Sequence, residues 1–140
     1  MPAADDDDTP AQPIQTKRAL IIANANYQDQ DIPSLVGVKN DQLAIRSVLE
    51  QEGYQVTVVE DAERSDMIAG LNKLVHESGQ NDSVLVYYAG HGDVASGSSV
   101  GYWLPTDASL DTSKEWLSTL DVAKFLKNIV YCLLDTVSIP

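Results

Sequence analysis

At 140 residues the chain is sized for one domain, and 44% apolar with 21% charged residues reads as globular and soluble. A net charge of −12, with nine Lys and Arg against 21 Asp and Glu, argues against nucleic acid or an anionic membrane as partner. No run approaches the ~18 apolar residues of a membrane span, and a single cysteine, Cys132, excludes an internal disulfide or a multi-cysteine zinc site.

The first segment, Met1 to Thr16, sets Asp5, Asp6, Asp7 and Asp8 among Pro and Ala with no apolar periodicity. It is expected to be a disordered acidic leader, leaving 17–140 as the folded domain. It shows no basic segment followed by an apolar one, so no secretory signal is recognisable. Cytoplasm is the default compartment, and periplasm or secretion stays open if translation starts upstream.

From Lys17 onward, short apolar runs alternate with helical stretches. Ala19 to Ala23 is continuously apolar, as a strand buried on both faces should be. A polar, turn-rich loop follows from Asn24 to Gly37. Asn40 or Asp41 can cap a helix through Glu52, with Leu43, Val48 and Leu49 inward and Gly53 ending it. Val56 to Val59 predicts a second strand. Ser65 can cap a second helix whose Met67, Ile68, Leu71, Leu74 and Val75 share one face, with Gly79 closing it. Near that helix's end, His76 is expected at the surface, where it favours the helix dipole. Ser83 to Tyr88 predicts a third strand. After a long excursion, Ser118 or Thr119 starts a short helix with Leu120, Ala123, Phe125 and Leu126, and Ile129 to Leu134 predicts the fourth strand. This alternation implies an α/β fold with a mostly parallel sheet and helices on both faces. Active sites of such sheets gather at the carboxyl ends of the strands, here Asn24, Ala89 and Asp135 onward.

Tyr87-Tyr88-Ala89-Gly90-His91-Gly92 delivers a histidine between two glycines at such an end. Glycine on both sides lets the backbone turn sharply and lets another group approach closely. The imidazole is expected at the rim of the sheet, with the Gly92 N–H free to face a developing oxyanion. A rim histidine makes little core contact, so His91→Ala is expected to leave stability nearly unchanged.

Five blocks in order carry a family resemblance over Lys17 to Ala108, with weaker continuation to Asp135. They are Arg18-Ala19-Leu20-Ile21-Ile22-Ala23-Asn24-Ala25-Asn26-Tyr27, Leu35-Val36-Gly37-Val38-Lys39-Asn40-Asp41, Gly53-Tyr54-Gln55-Val56, the segment around His91, and Tyr102-Trp103-Leu104-Pro105-Thr106-Asp107-Ala108. Together they resemble the caspase family, within it the bacterial metacaspase-like members. Ala23 stands where the family pattern usually has glycine.

The resemblance implies a three-layer caspase-like fold of the large-subunit type and a cysteine-type endopeptidase working by a His–Cys dyad. His91 would be its general base and acid, and Gly92 would supply an oxyanion N–H. It implies a peptide or protein substrate. No metal or other cofactor is needed for the chemistry, although some metacaspases are calcium-activated. Metacaspase-like members cleave after Arg or Lys through acidic pocket residues, animal caspases after Asp. Asp29 and Asp31, in the loop after the first strand, are the candidates for such a pocket, beside the plainer reading of solvated loop acids.

The resemblance breaks at the nucleophile. The family has Asp-Ser-Cys-x-Ser-Gly just after the fourth strand, and aligning Asp135 with its aspartate puts Thr136 on the serine and Val137 on the cysteine. Cys132 lies five residues upstream, roughly 16 Å away along a strand, at an odd offset that sends it to the other face. It is expected as an inert core thiol. The family also continues beyond this chain, through its last strands and much of its substrate groove, so the fold is expected to be truncated after the fourth strand. A natural stump and an interrupted reading frame both fit, since codons for Val137 to Pro140 can be chosen so that another frame reads Phe-Asp-Ser.

A cysteine peptidase by descent, inactive in this chain, is thus one expectation. A non-catalytic pseudo-peptidase module is the alternative, binding peptides or pairing with another copy through an open sheet edge. A doubly wound phosphate- or nucleotide-binding domain is the third, and Asn24-Ala25-Asn26 holds none of the glycine that task needs.

Overall fold

The apolar run after Arg18 becomes the central strand β1, Lys17–Ala23, in a computed structural model that describes residues 16–94, 99–127 and 131–138, the last as backbone alone. The leader expected over 1–16 therefore lies, except for Thr16, outside the described residues. β1 is flanked by β2, Tyr54–Glu60, and β3, Ser83–Gly90, and β3 pairs in turn with the last strand, Tyr131–Ser138. All three pairings are parallel, so helical crossovers must return the chain each time.

Helix α1, Val38–Gln51, covers one face, where Val38 and Leu49 meet Ala19, Ile21, Leu85 and Tyr87. Helices α2, Arg64–Glu77, and α3, Thr119–Phe125, cover the other, where Met67, Leu71 and Val122 meet Leu20, Ile22, Val84 and Tyr88. The expected α/β sheet with helices on both faces is what forms.

The inner face of α1 differs from the expected one. The helix starts at Val38 with Gly37 as its N-cap, not at Asn40 or Asp41. Its inward line is Val38, Gln42, Ile45 and Leu49, spaced at helical intervals, while Leu43 and Val48 are 49% and 54% exposed. The polar Gln42 on that line hid the true periodicity. Gly53 ends the turn after α1 with φ +90°, a conformation that favours glycine.

At α2 the N-cap is Glu63, not Ser65, and Asp66 Oδ2 accepts the Glu63 N–H at 3.0 Å. The predicted apolar stripe of α2 holds, with Met67, Leu71 and Leu74 buried and Ile68 and Val75 packed beside them. His76 is exposed in the last turn. In α3 the Ser118 hydroxyl accepts the Asp121 N–H at 3.0 Å as expected of a cap, but Leu120 is 57% exposed and Val122 points inward in its place.

The excursion after His91 also carries structure that its sequence did not announce. Strands β4, Gly92–Val94, β5, Gly101–Trp103, and β6, Leu117–Ser118, make a small antiparallel sheet. The final strand, β7 in chain order, runs to Ser138 rather than stopping at Leu134. β3 continues to Gly90 and offers it backbone partners all the way. Val137 is therefore a strand residue beside Ala89, and Cys132 stands beside Val84. The burial expected of Cys132 concerns a side chain outside the described residues.

Candidate functional site

The carboxyl ends of β1, β2 and β3 are laced together before any chemistry is considered. Asn24, fully buried, donates its backbone N–H to Ala89 O at 2.8 Å and accepts the Ala62 N–H on its side-chain oxygen at 2.7 Å. Its amide also reaches Leu104 O at 3.3 Å. Asp61, with φ +50°, accepts N–H groups from Ala25 and Asn26 at 2.9 and 3.0 Å and the Asn26 amide at 3.1 Å. Burial alone would raise its carboxyl, but these donors, with Lys39 nearby, hold it below the ordinary carboxylate range. The loop after β1 is thus pinned to the loop after β2.

His91 follows β3 directly and is only 7% exposed. The expectation of an open rim histidine with few core contacts is corrected here, because the β4–β5 sheet and the loop after β1 close over it. Its Nε2 lies 2.8 Å from Pro33 O. A carbonyl oxygen can only accept, so Nε2 donates its hydrogen there, and Nδ1 is the ring nitrogen left to face a reacting group. The Tyr27 ring meets the imidazole edge-on, centroids 5.1 Å apart.

The His91 peptide is held from both sides. Its N–H donates to Tyr27 Oη at 2.8 Å, and its carbonyl accepts from Tyr88 Oη at 2.6 Å and from the Leu104 N–H at 3.1 Å. The two hydroxyls are 3.3 Å apart. With the Tyr88 hydrogen spent on His91 O, the Tyr27 hydrogen is left to bridge to Tyr88 Oη. Burial raises both phenols above their ordinary value, Tyr88 the further, so both stay neutral donors. Trp103 stacks on Tyr88, rings 4.6 Å apart and 6° from parallel.

Gly90 makes this possible by close approach; a glycine-only backbone turn, expected along with it, is not found there, since its φ is not positive. Gly92 opposes Trp103 across β4 and β5. The adjoining Leu104 N–H to His91 O bond makes Gly92/Trp103 a non-hydrogen-bonded pair, so β5 does not use the Gly92 N–H. That donor faces away from the ladder.

Of the two pocket acids, Asp29 accepts the Asp31 N–H at 2.9 Å and the Leu110 N–H at 3.2 Å, so both of its carboxylate oxygens brace loops. Asp31 is exposed. Val137, the expected nucleophile position, stands beside Ala89, two residues before His91 on the adjoining strand. The structure thus brings His91, Gly92 and the Val137 backbone to one end of the sheet, with Asp29 committed to the loop that carries Pro33. Among the described residues no cluster of His, Cys, Asp or Glu suits a metal ion, and no helix is long and apolar enough to cross a membrane.

Sequence reasoning assigned no role to Pro33, Tyr88, Asn24 or Asp61. Tyr27 stood in a family-like block without a function, and Tyr88 read as an ordinary strand residue. A model of the caspase domain family matches residues 16–133 of the chain. Comparison with curated proteins gives no match.

Proposed function

Because this chain belongs to the caspase domain family, we propose that it carries the histidine half of a cysteine-endopeptidase site without the thiol, and so does not cleave peptides as it stands. The observation that carries this reading is the strand register that sets Val137 beside Ala89, next to the strand end that delivers His91. In a complete dyad the lone pair on His91 Nδ1 would take the thiol proton and later protonate the leaving amine, while the Gly92 N–H met the oxyanion. Pro33 O would hold the ring in that tautomer. Valine offers no lone pair, so the acyl transfer has no first step. A peptide or protein remains the ligand class, with Asp31 the exposed acid that a basic side chain could meet.

The test pairs two measurements. The purified chain should hydrolyse no fluorogenic peptide bearing Arg, Lys or Asp at the scissile position; turnover would overturn the inactive reading. In Val137→Cys, alkylation followed by peptide mapping should place the introduced thiol's pH midpoint below the ordinary ~8.5. Adding His91→Ala should raise that midpoint. A midpoint indifferent to His91 would overturn the dyad geometry.

A second reading, a non-catalytic module that pairs with another copy, rests on the sheet order. Among the described residues β2 and β7 are outer strands, each paired on one side. Outer strands present backbone donors and acceptors that a second copy can extend. Light scattering across a concentration series tests it: a mass that stays monomeric throughout removes this reading.

A further inference from the structure

The carbonyl of His91 and the N–H of Gly92 belong to one peptide group, so whatever bonds to that oxygen acts on that N–H. Two donors converge on the oxygen, Tyr88 Oη at 2.6 Å and the Leu104 N–H at 3.1 Å. The first is at the short end of its class. Behind it, Tyr27 Oη stands 3.3 Å from Tyr88 Oη and accepts the His91 N–H at 2.8 Å. The bonds therefore run one way round a path, from His91 N–H to Tyr27, from Tyr27 to Tyr88, and from Tyr88 back to His91 O. The path ends on a peptide that opens outward, since the Gly92 N–H meets no acceptor among the described residues.

Burial makes such a path worth more than it would be in water. Tyr88 is fully buried under the stacked Trp103 ring, and His91 is nearly so. In a low-dielectric interior each bond of a chain strengthens the next by about 10–30%. A carbonyl that accepts two hydrogen bonds draws electron density from its own peptide nitrogen, which makes the N–H more acidic and a stronger donor. Packing alone does not call for the hydroxyls, because phenylalanine would stack on Trp103 as well as tyrosine does. We propose that Tyr88, with Tyr27 behind it, is a positioning residue for the oxyanion donor, strengthening the Gly92 N–H by hydrogen-bonding the carbonyl of its own peptide. Neither hydroxyl touches a reacting atom. The use of that donor in acyl transfer rests on the peptidase reading, whereas the polarisation is measured with no thiol, substrate or turnover.

The test uses the whole chain, ¹⁵N-labelled, and reads hydroxide-catalysed exchange of the Gly92 amide with water, a rate that follows N–H acidity. In the wild type that rate should rise in proportion to hydroxide and ignore low urea. In Tyr88→Phe it should fall about fivefold, the ordinary worth of one hydrogen bond, while other amides of β4 and β5 keep theirs. A hydroxyl that only braces the fold gives the opposite sign, since a loosened lattice speeds exchange at Gly92 and its neighbours alike. Tyr27→Phe should slow Gly92 less, and the double variant should match Tyr88→Phe, because the Tyr27 effect passes through Tyr88. 3-Fluorotyrosine in place of the six tyrosines, a stronger donor of nearly the same shape, should speed the exchange, and it decides the matter where Tyr88→Phe does not fold. Unchanged or faster exchange in Tyr88→Phe, unchanged or slower exchange with fluorotyrosine, additive slowing in the double variant, or a Gly92 amide that exchanges only by global unfolding would each overturn the proposal. A Val137→Cys thiol indifferent to His91 would instead overturn the peptidase reading and leave the polarised peptide standing.

Discussion

An ideal Cβ on Gly90 would stand 2.5 Å from the Tyr88 hydroxyl and 2.8 Å from that of Tyr27. Neither oxygen can retreat without giving up a bond to the His91 peptide. Gly90→Ala should therefore cost about 1–3 kcal/mol, the range of an overpacked interior, read from the urea midpoint. Wild-type stability in that variant would mean the hydroxyl pair is not rigid. His91 itself is buried, bonded to Pro33 O and set against the Tyr27 ring. His91→Ala should thus lose about 1–3 kcal/mol, where the sequence alone suggested almost none. The sequence could place this histidine at a strand end but could not see what covers it. The cover comes from Pro33, 58 positions earlier, and Leu104, 13 positions later.

At the scale of elements, what was legible is what repeats. The buried runs of β1 and β3 and the α2 stripe were readable, because a strand apolar on both faces and a helix with Met67, Leu71 and Leu74 in phase leave one interpretation. Helix α1 failed that test because its inward line includes Gln42 and its outer face includes Leu43 and Val48. The β4–β6 sheet was illegible because strands of two or three residues are too short to show alternation. The α1 phase is directly checkable. Leu49→Ala, at a position 8% exposed, should lower stability by about 2–3 kcal/mol. Leu43→Ala, at 49% exposed, should stay within about 0.5 kcal/mol of wild type. Equal costs would restore the helix phase expected from sequence.

Over the whole molecule, charge and burial together set the pH range of stability. Asp61 is held below its ordinary range by N–H donors against burial, and Asp82 by the Gly79 N–H at 2.8 Å and by Arg18 at 3.2 Å. A carboxyl lowered on folding adds stability above its unfolded pKa of about 4, and that stability is lost as acid protonates the folded form. Tyr27 and Tyr88 are raised by burial, so their contribution is present below about pH 10 and lost as pH rises beyond it. The net charge of −12 acts the other way at neutral pH, since mild acid relieves self-repulsion. The urea midpoint should therefore rise slightly from pH 8 to about 5, fall below about pH 4, and fall again above about pH 10. Asp61→Asn should flatten the acid limb and Tyr88→Phe the alkaline limb, each leaving the other limb as it was. If both variants keep the wild-type curve shape, neither the Asp61 carboxylate nor the buried Tyr88 phenol is what titrates, and self-repulsion alone sets the profile.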